Sequence, residues 1–188
     1  MSRFETRHTS SDTASSTRGI GAARRWALHK FQQISEANND RLVCTYLNWE
    51  RNICGVNEHK NIVAILPGSG LGTVNTTAPG IVIIEAHLDS RCDDGCDTSC
   101  VAHGMEDNGS GSALVLELAR VMSKYQFERT IVFMLTVAEE QGLYGAKALS
   151  DYCFQNEVDI AAVLNNDVIG GVICGETSSP PSCRSSFP

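Results

Sequence analysis

Four short segments concentrate residue types that bind metals or move protons: His87-Leu88-Asp89-Ser90, Glu106-Asp107-Asn108-Gly109, Glu139-Glu140 and Asn166-Asp167. Taken singly, each reads as ordinary solvated loop charge. Together they bring one imidazole and several carboxylates to equivalent positions along the chain, and like charges gather in this way when a cation neutralises them. An imidazole with carboxylates, and no cysteine among them, suits zinc in a hydrolytic role, and cobalt or manganese would take many of the same ligands. Three or more carboxylates around divalent ions point to a co-catalytic pair that shares a carboxylate and a water.

The elements that must position these residues are legible in the hydrophobic pattern. Ile81-Val82-Ile83-Ile84 is a continuous apolar run, as in a strand covered on both faces. Ser110 to about Lys124 reads as a helix with Leu114, Leu118 and Val121 on one side, Thr130–Val137 as a second buried strand, Leu143–Phe154 as a helix and Ile160–Leu164 as a third strand. That β-α-β-α-β alternation predicts an α/β fold, three layers α/β/α around a mostly parallel, mixed sheet. Each of the chemistry-bearing segments follows a strand or opens a helix, the edge of an open α/β sheet where ligands collect. Upstream, residues 18 to 36 read as a helix with Ile20, Ala23, Ala27, Phe31 and Ile34 on one face. Leu42–Trp49 and Asn61–Leu66 read as strands, ending in turns at Asn52–Gly55 and at Pro67-Gly68-Ser69-Gly70. The tail from Gly170 reads as loop.

The segments IVIIEAHLDS, AHGMEDNGSG, TVAEEQGLYGA and LNNDVIGG resemble, in order and spacing from about Asn61 to Gly171, the motifs of the co-catalytic zinc aminopeptidases. That family includes aminopeptidase Y and the secreted bacterial leucine aminopeptidases, with glutamate carboxypeptidase and glutaminyl cyclase as distant relatives. The resemblance implies that His87 is a ligand of the first zinc, with Asp89 orienting it from behind. It further implies that Asp107 bridges both zincs, that Glu140 binds the second, and that Asp167 completes the first. Glu139 would be the general base, and the substrates would be peptides with a free N-terminus. Glu106 stands where the family has aspartate, at a position that is not a ligand.

One departure bears on the second zinc, for which the family uses a histidine well downstream of the last carboxylate. No histidine follows Asp167 in this sequence. His29 in the first helix and His59 in a turn read as surface or packing residues, and His103 is a candidate substitute ligand. The expectation is a catalytic core truncated at its C-terminus, with residues 1–17 a polar N-terminal segment, residues 18–188 the zinc peptidase domain, and a partly open sheet edge. Two other readings stand beside the aminopeptidase. One is an inert domain that keeps the fold. The other is glutaminyl cyclisation, whose single-zinc chemistry lacks a ligand at the position of His87.

Bulk properties exclude several classes. A net charge of −7 argues against nucleic acid or anionic membrane as partners. The longest apolar runs are too short to span a bilayer. Eight cysteines favour an oxidising compartment, secreted or periplasmic, although Met1–Thr17 has no apolar core of a signal peptide. Cys92, Cys96 and Cys100 lack the two-residue spacing of most zinc and iron–sulfur motifs, so a disulfide stapling the loop between His87 and Asp107 is the better reading. Cys174 and Cys183 offer a second loop closure, with connectivity left open. Gly68-Ser69-Gly70-Leu71-Gly72 is not a phosphate loop, because no helix follows it. Asn75-Thr76-Thr77 is a glycosylation sequon without supporting context.

Overall fold

The computed structural model of the chain describes residues 1–70 and 80–169. The sequon, the second half of the Gly68–Gly72 run, Cys174, Cys183 and the tail expected as loop all lie outside them.

Five strands form one mixed sheet in the order β1-β2-β4-β3-β5. They are β1 (Val43–Ile53), β2 (Val56–Leu66), β3 (Ile81–His87), β4 (Ile131–Thr136) and β5 (Ile160–Asn165). The first two make an antiparallel hairpin, and β2 runs antiparallel to β4. The parallel part is β4-β3-β5, set by the expected β-α-β-α-β run.

Among the described residues three α-helices complete the three layers: α1 (Gly19–Glu36), α2 (Gly109–Met122) and α3 (Tyr144–Gln155). On one face, Ile20, Ala23, Ala27 and Phe31 of α1 and Val115 and Ala119 of α2 pack on Ile62, Ile84, Phe133 and Leu135. The α1 residues are those of the expected apolar stripe. On α2 the expected face of Leu114, Leu118 and Val121 is not the buried one, Val121 being 39% exposed, and Val115 and Ala119 meet the sheet instead. The other face buries Val63, Ile83, Val132 and Met134, with Leu149 of α3 against them. All six residues of β4 are buried, as a strand covered on both sides requires. By contrast all six of β5 are exposed, Val163 and Leu164 by about half, so among the described residues that edge of the sheet is left open.

Two elements differ from the sequence reading. The hairpin turn is tighter than expected, because β1 continues to Ile53 and β2 begins at Val56. His59 therefore lies within β2, not in a turn, and it is buried, its Nε2 facing the carbonyls of Arg51 and Val56. The polar letters of Asn57, Glu58 and Lys60 hide this half of the strand, which reaches past β4 and pairs with β1 alone, where no apolar run is needed.

Polar contacts fix where β4 ends. Asn61, fully buried, accepts from Val137 N at 3.1 Å and from Trp49 Nε1 at 3.2 Å, and donates to Gly145 O at 2.8 Å. A Cβ on Gly145 would sit 2.3 Å from Val137 O, so only glycine lets α3 start this close to β4. Ala138 then takes φ +62°, a left-handed conformation that turns Glu139 out of the strand direction.

Candidate metal centre

His87 closes β3 at the carboxyl edge of the sheet and is 3% exposed. Its carbonyl accepts from Ser112 Oγ at 2.9 Å, which ties the strand end to α2. Its Nδ1 lies 3.2 Å from the backbone oxygen of Asp89 and 3.6 Å from the carboxylate Oδ1. The backbone carbonyl is thus the nearer acceptor, and a proton held on Nδ1 leaves the Nε2 lone pair free. Nε2 is buried and has no hydrogen-bond partner.

That nitrogen faces carboxylates. Asp107 Oδ1 is 3.1 Å away, Asp167 Oδ1 3.4 Å and Glu139 Oε2 3.9 Å. One ligand atom from each of His87, Asp107 and Asp167 lies within 4.8 Å of the other two. A buried, unpartnered imidazole nitrogen beside two carboxylates is a donor set that fits a divalent ion such as zinc. Burial disfavours a charged His87, but the hydrogen bond and charge of Asp89, with the charges of Glu139 and Asp167, carry its pKa up to about 9. An ion at Nε2 has to displace that proton.

The two outer carboxylates come from loops that are pinned to each other. Asn108 caps α2, accepting from Gly111 N at 2.9 Å, and its amide donates to Asn166 O at 2.9 Å. Asn108 therefore holds the Asp107 turn against the loop bearing Asp167, and the Asp107–Asn108 peptide bond is cis. Asp89 is fully buried, and its two carboxylate oxygens accept from Glu139 N and Glu140 N, each at 3.3 Å. This bond links the loop behind His87 to the Glu139-Glu140 pair.

The adjacent glutamates have different surroundings. Glu139 has a third of its side chain exposed, and burial raises its pKa against the pull of His87, with Asp89, Glu140 and Asp167 adding to the rise. Glu140 is more deeply set and pairs with Arg91 Nε at 2.8 Å, standing outside the three-residue group. Burial raises its pKa too, and Arg91 opposes the rise. None of the other four histidines joins that group. His103 Nδ1 lies 3.1 Å from Ser2 O, and His8 Nε2 2.9 Å from Gly95 O.

Three contributors escaped the sequence reading. Asn108 and Ser112 carried only a helix-start signal, in which asparagine favours the cap. Arg91 carried none, because its partner Glu140 is remote in sequence. Disulfides Cys54–Cys96 and Cys92–Cys100 staple the loop between His87 and Asp107, the first anchoring it to the β1–β2 hairpin. Among the described residues Cys44 and Cys153 have no disulfide partner.

Comparison with known proteins bears on this geometry. Residues 61–172 match Peptidase family M28. The chain is 34% identical over 200 residues to a probable zinc metalloprotease of Phaeosphaeria nodorum, covering 96% of this chain and 39% of that protein. The chain thus spans about two-fifths of the length of such relatives. Among solved structures, the LapA aminopeptidase of Legionella pneumophila superposes with a TM-score of 0.69 at 21% identity, covering 89% of this chain and 38% of that one. A glutaminyl cyclase of an Acidobacteriales bacterium superposes with 0.64 at 20% identity, covering 90% and 55%. At such identities the two structures speak for the fold alone.

Proposed function

Because the chain belongs to peptidase family M28, we propose that it forms the metal-binding part of a zinc-dependent aminopeptidase that hydrolyses peptides at a free N-terminus. The observation that carries this reading is the convergence of His87 Nε2, Asp107 and Asp167 at one sheet edge. In this reading His87, Asp107 and Asp167 hold one zinc. A second zinc would draw on Asp107 and on Glu140, the latter released from Arg91. Bound zinc supplies Lewis acidity and lowers the pKa of water towards neutrality.

The protein's own groups do the rest. Glu139, close to His87 yet outside the three-residue group, takes a proton from the attacking water and passes it to the departing amine. Burial raises its pKa, the direction that makes a carboxylate a better proton acceptor. Asp89 keeps the histidine and both glutamates in register. Two disulfides fit an oxidising, extracellular or periplasmic setting. Among the described residues no helix is long and apolar enough to cross a membrane.

The test is a pair of chromogenic substrates, an aminoacyl anilide and its N-acetylated form, offered to the zinc-loaded protein. Hydrolysis of the first and not of the second is expected. Equal rates for both would overturn the requirement for a free N-terminus. Conversion of an N-terminal glutamine to pyroglutamate without hydrolysis would overturn the peptidase reading in favour of cyclisation.

A further inference from the structure

We propose that Arg7 is a positioning residue for this centre, its guanidinium clamping both ends of the loop that separates His87 from Asp107. The inference rests on the metal-binding role proposed above for those two residues.

Arg7 is 1% exposed, although it lies in a polar N-terminal stretch. Its Nε donates to Leu88 O at 2.7 Å, one terminal nitrogen to His103 O at 2.5 Å and the other to Gly104 O at 2.8 Å. Leu88 follows His87 directly, and Gly104 lies on the turn that leads to Asp107. One rigid planar group therefore spans the two ends of the loop and sets their separation. A lysine ammonium is a point charge without that fork. Gly104 shows how closely the clamp sits: at φ +47°, a Cβ there would lie 2.7 Å from an Arg7 terminal nitrogen and 2.5 Å from Asp107 O.

The rest of the segment repeats the arrangement. Arg7 N donates to Ser90 Oγ at 3.1 Å, Ser90 Oγ donates to Ala102 O at 2.8 Å, and Thr6 forms a parallel bridge with Ala102. Two residues on, Thr9 Oγ1 accepts from Ala138 N at 2.7 Å, next to Glu139. A single short segment thus touches the backbone just after His87 and the backbone leading to Asp107 and to Glu139. Burial lowers the Arg7 pKa, and the charges of Asp89 and Asp107 hold it at about 10, so the clamp stays cationic at neutral pH.

A merely space-filling arginine would affect stability and leave the ligand geometry alone. The two roles separate in the visible spectrum and affinity of bound Co(II), read beside the thermal unfolding of the metal-free protein, for the unaltered chain, Arg7→Lys and Ser90→Ala. Arg7→Lys is expected to bind Co(II) more weakly, by up to about the ten- to hundredfold that follows the loss of a ligand's own outer partner, since Arg7 acts one step further out, through the backbone beside His87 and Asp107. Its spectrum should change shape, and Ser90→Ala should move both readings the same way by less. Should Arg7→Lys fail to fold, Ser90→Ala alone decides. A folded variant whose Co(II) affinity stays within about twofold of the unaltered chain, with a superimposable spectrum, overturns the positioning role. If the unaltered chain takes up no Co(II), the metal centre itself falls, and the positioning role with it.

Discussion

Glu139→Gln is expected to lower peptide hydrolysis by about 10²–10⁴-fold and to leave bound zinc unchanged, because it removes a proton acceptor and no ligand. Glu139 Oε2 is 3.9 Å from His87 Nε2, the most distant of the carboxylates facing that nitrogen, and Glu139 is not in the three-residue ligand group. Its backbone is held independently, through the Asp89 carboxylate. Glutamine keeps the shape and the backbone bond, so the change isolates the proton transfer. Turnover and zinc content measured on the same preparation check it. Undiminished turnover would remove Glu139 from the base role, and loss of zinc together with turnover would make it a ligand.

Asp107→Ala is expected to do the opposite: zinc is released, and the metal-free fold is left nearly as stable. Of the carboxylates facing His87 Nε2, Asp107 is the nearest, and its side chain is 58% exposed. Its removal takes away a ligand, so the loss of affinity should exceed the ten- to hundredfold typical of an outer partner. An exposed side chain packs little, and surface substitutions of this kind stay within about 0.5 kcal/mol of the parent. Zinc after exhaustive dialysis and the unfolding temperature without metal give the two readings. Retained zinc would contradict the assignment, and a collapse of the metal-free fold would make Asp107 a structural residue.

Much of this was open to inspection in the sequence, for identifiable physical reasons. The strands β3 and β4 are apolar runs because both faces are covered, and α1 shows its buried stripe at helical spacing, whereas α2 turns Val115 and Ala119 to the sheet and not the more apolar-looking Leu114, Leu118 and Val121. The convergence of His87, Asp107 and Asp167 follows from topology, since parallel strands deliver their C-terminal loops to one edge. What escaped was polar burial. Residues 6–11 are hydroxyl-rich and charged, yet all are buried, because Arg7, Thr9, Ser10 and Ser11 pair with backbone groups remote in sequence. No local periodicity announces such pairing. His59 was hidden for a related reason, its imidazole facing carbonyls across the hairpin. The disulfide partners could not be derived either, because connectivity depends on how the loop folds back on the hairpin.

The central claim is that His87, Asp107 and Asp167 hold a metal ion, and the most direct measurement is zinc per chain, by elemental analysis of the purified protein after dialysis. At least one zinc per chain is predicted, held by this three-residue set, with a second where Glu140 leaves Arg91 and joins Asp107. A protein that retains no zinc, and regains none when zinc is supplied, would contradict the account.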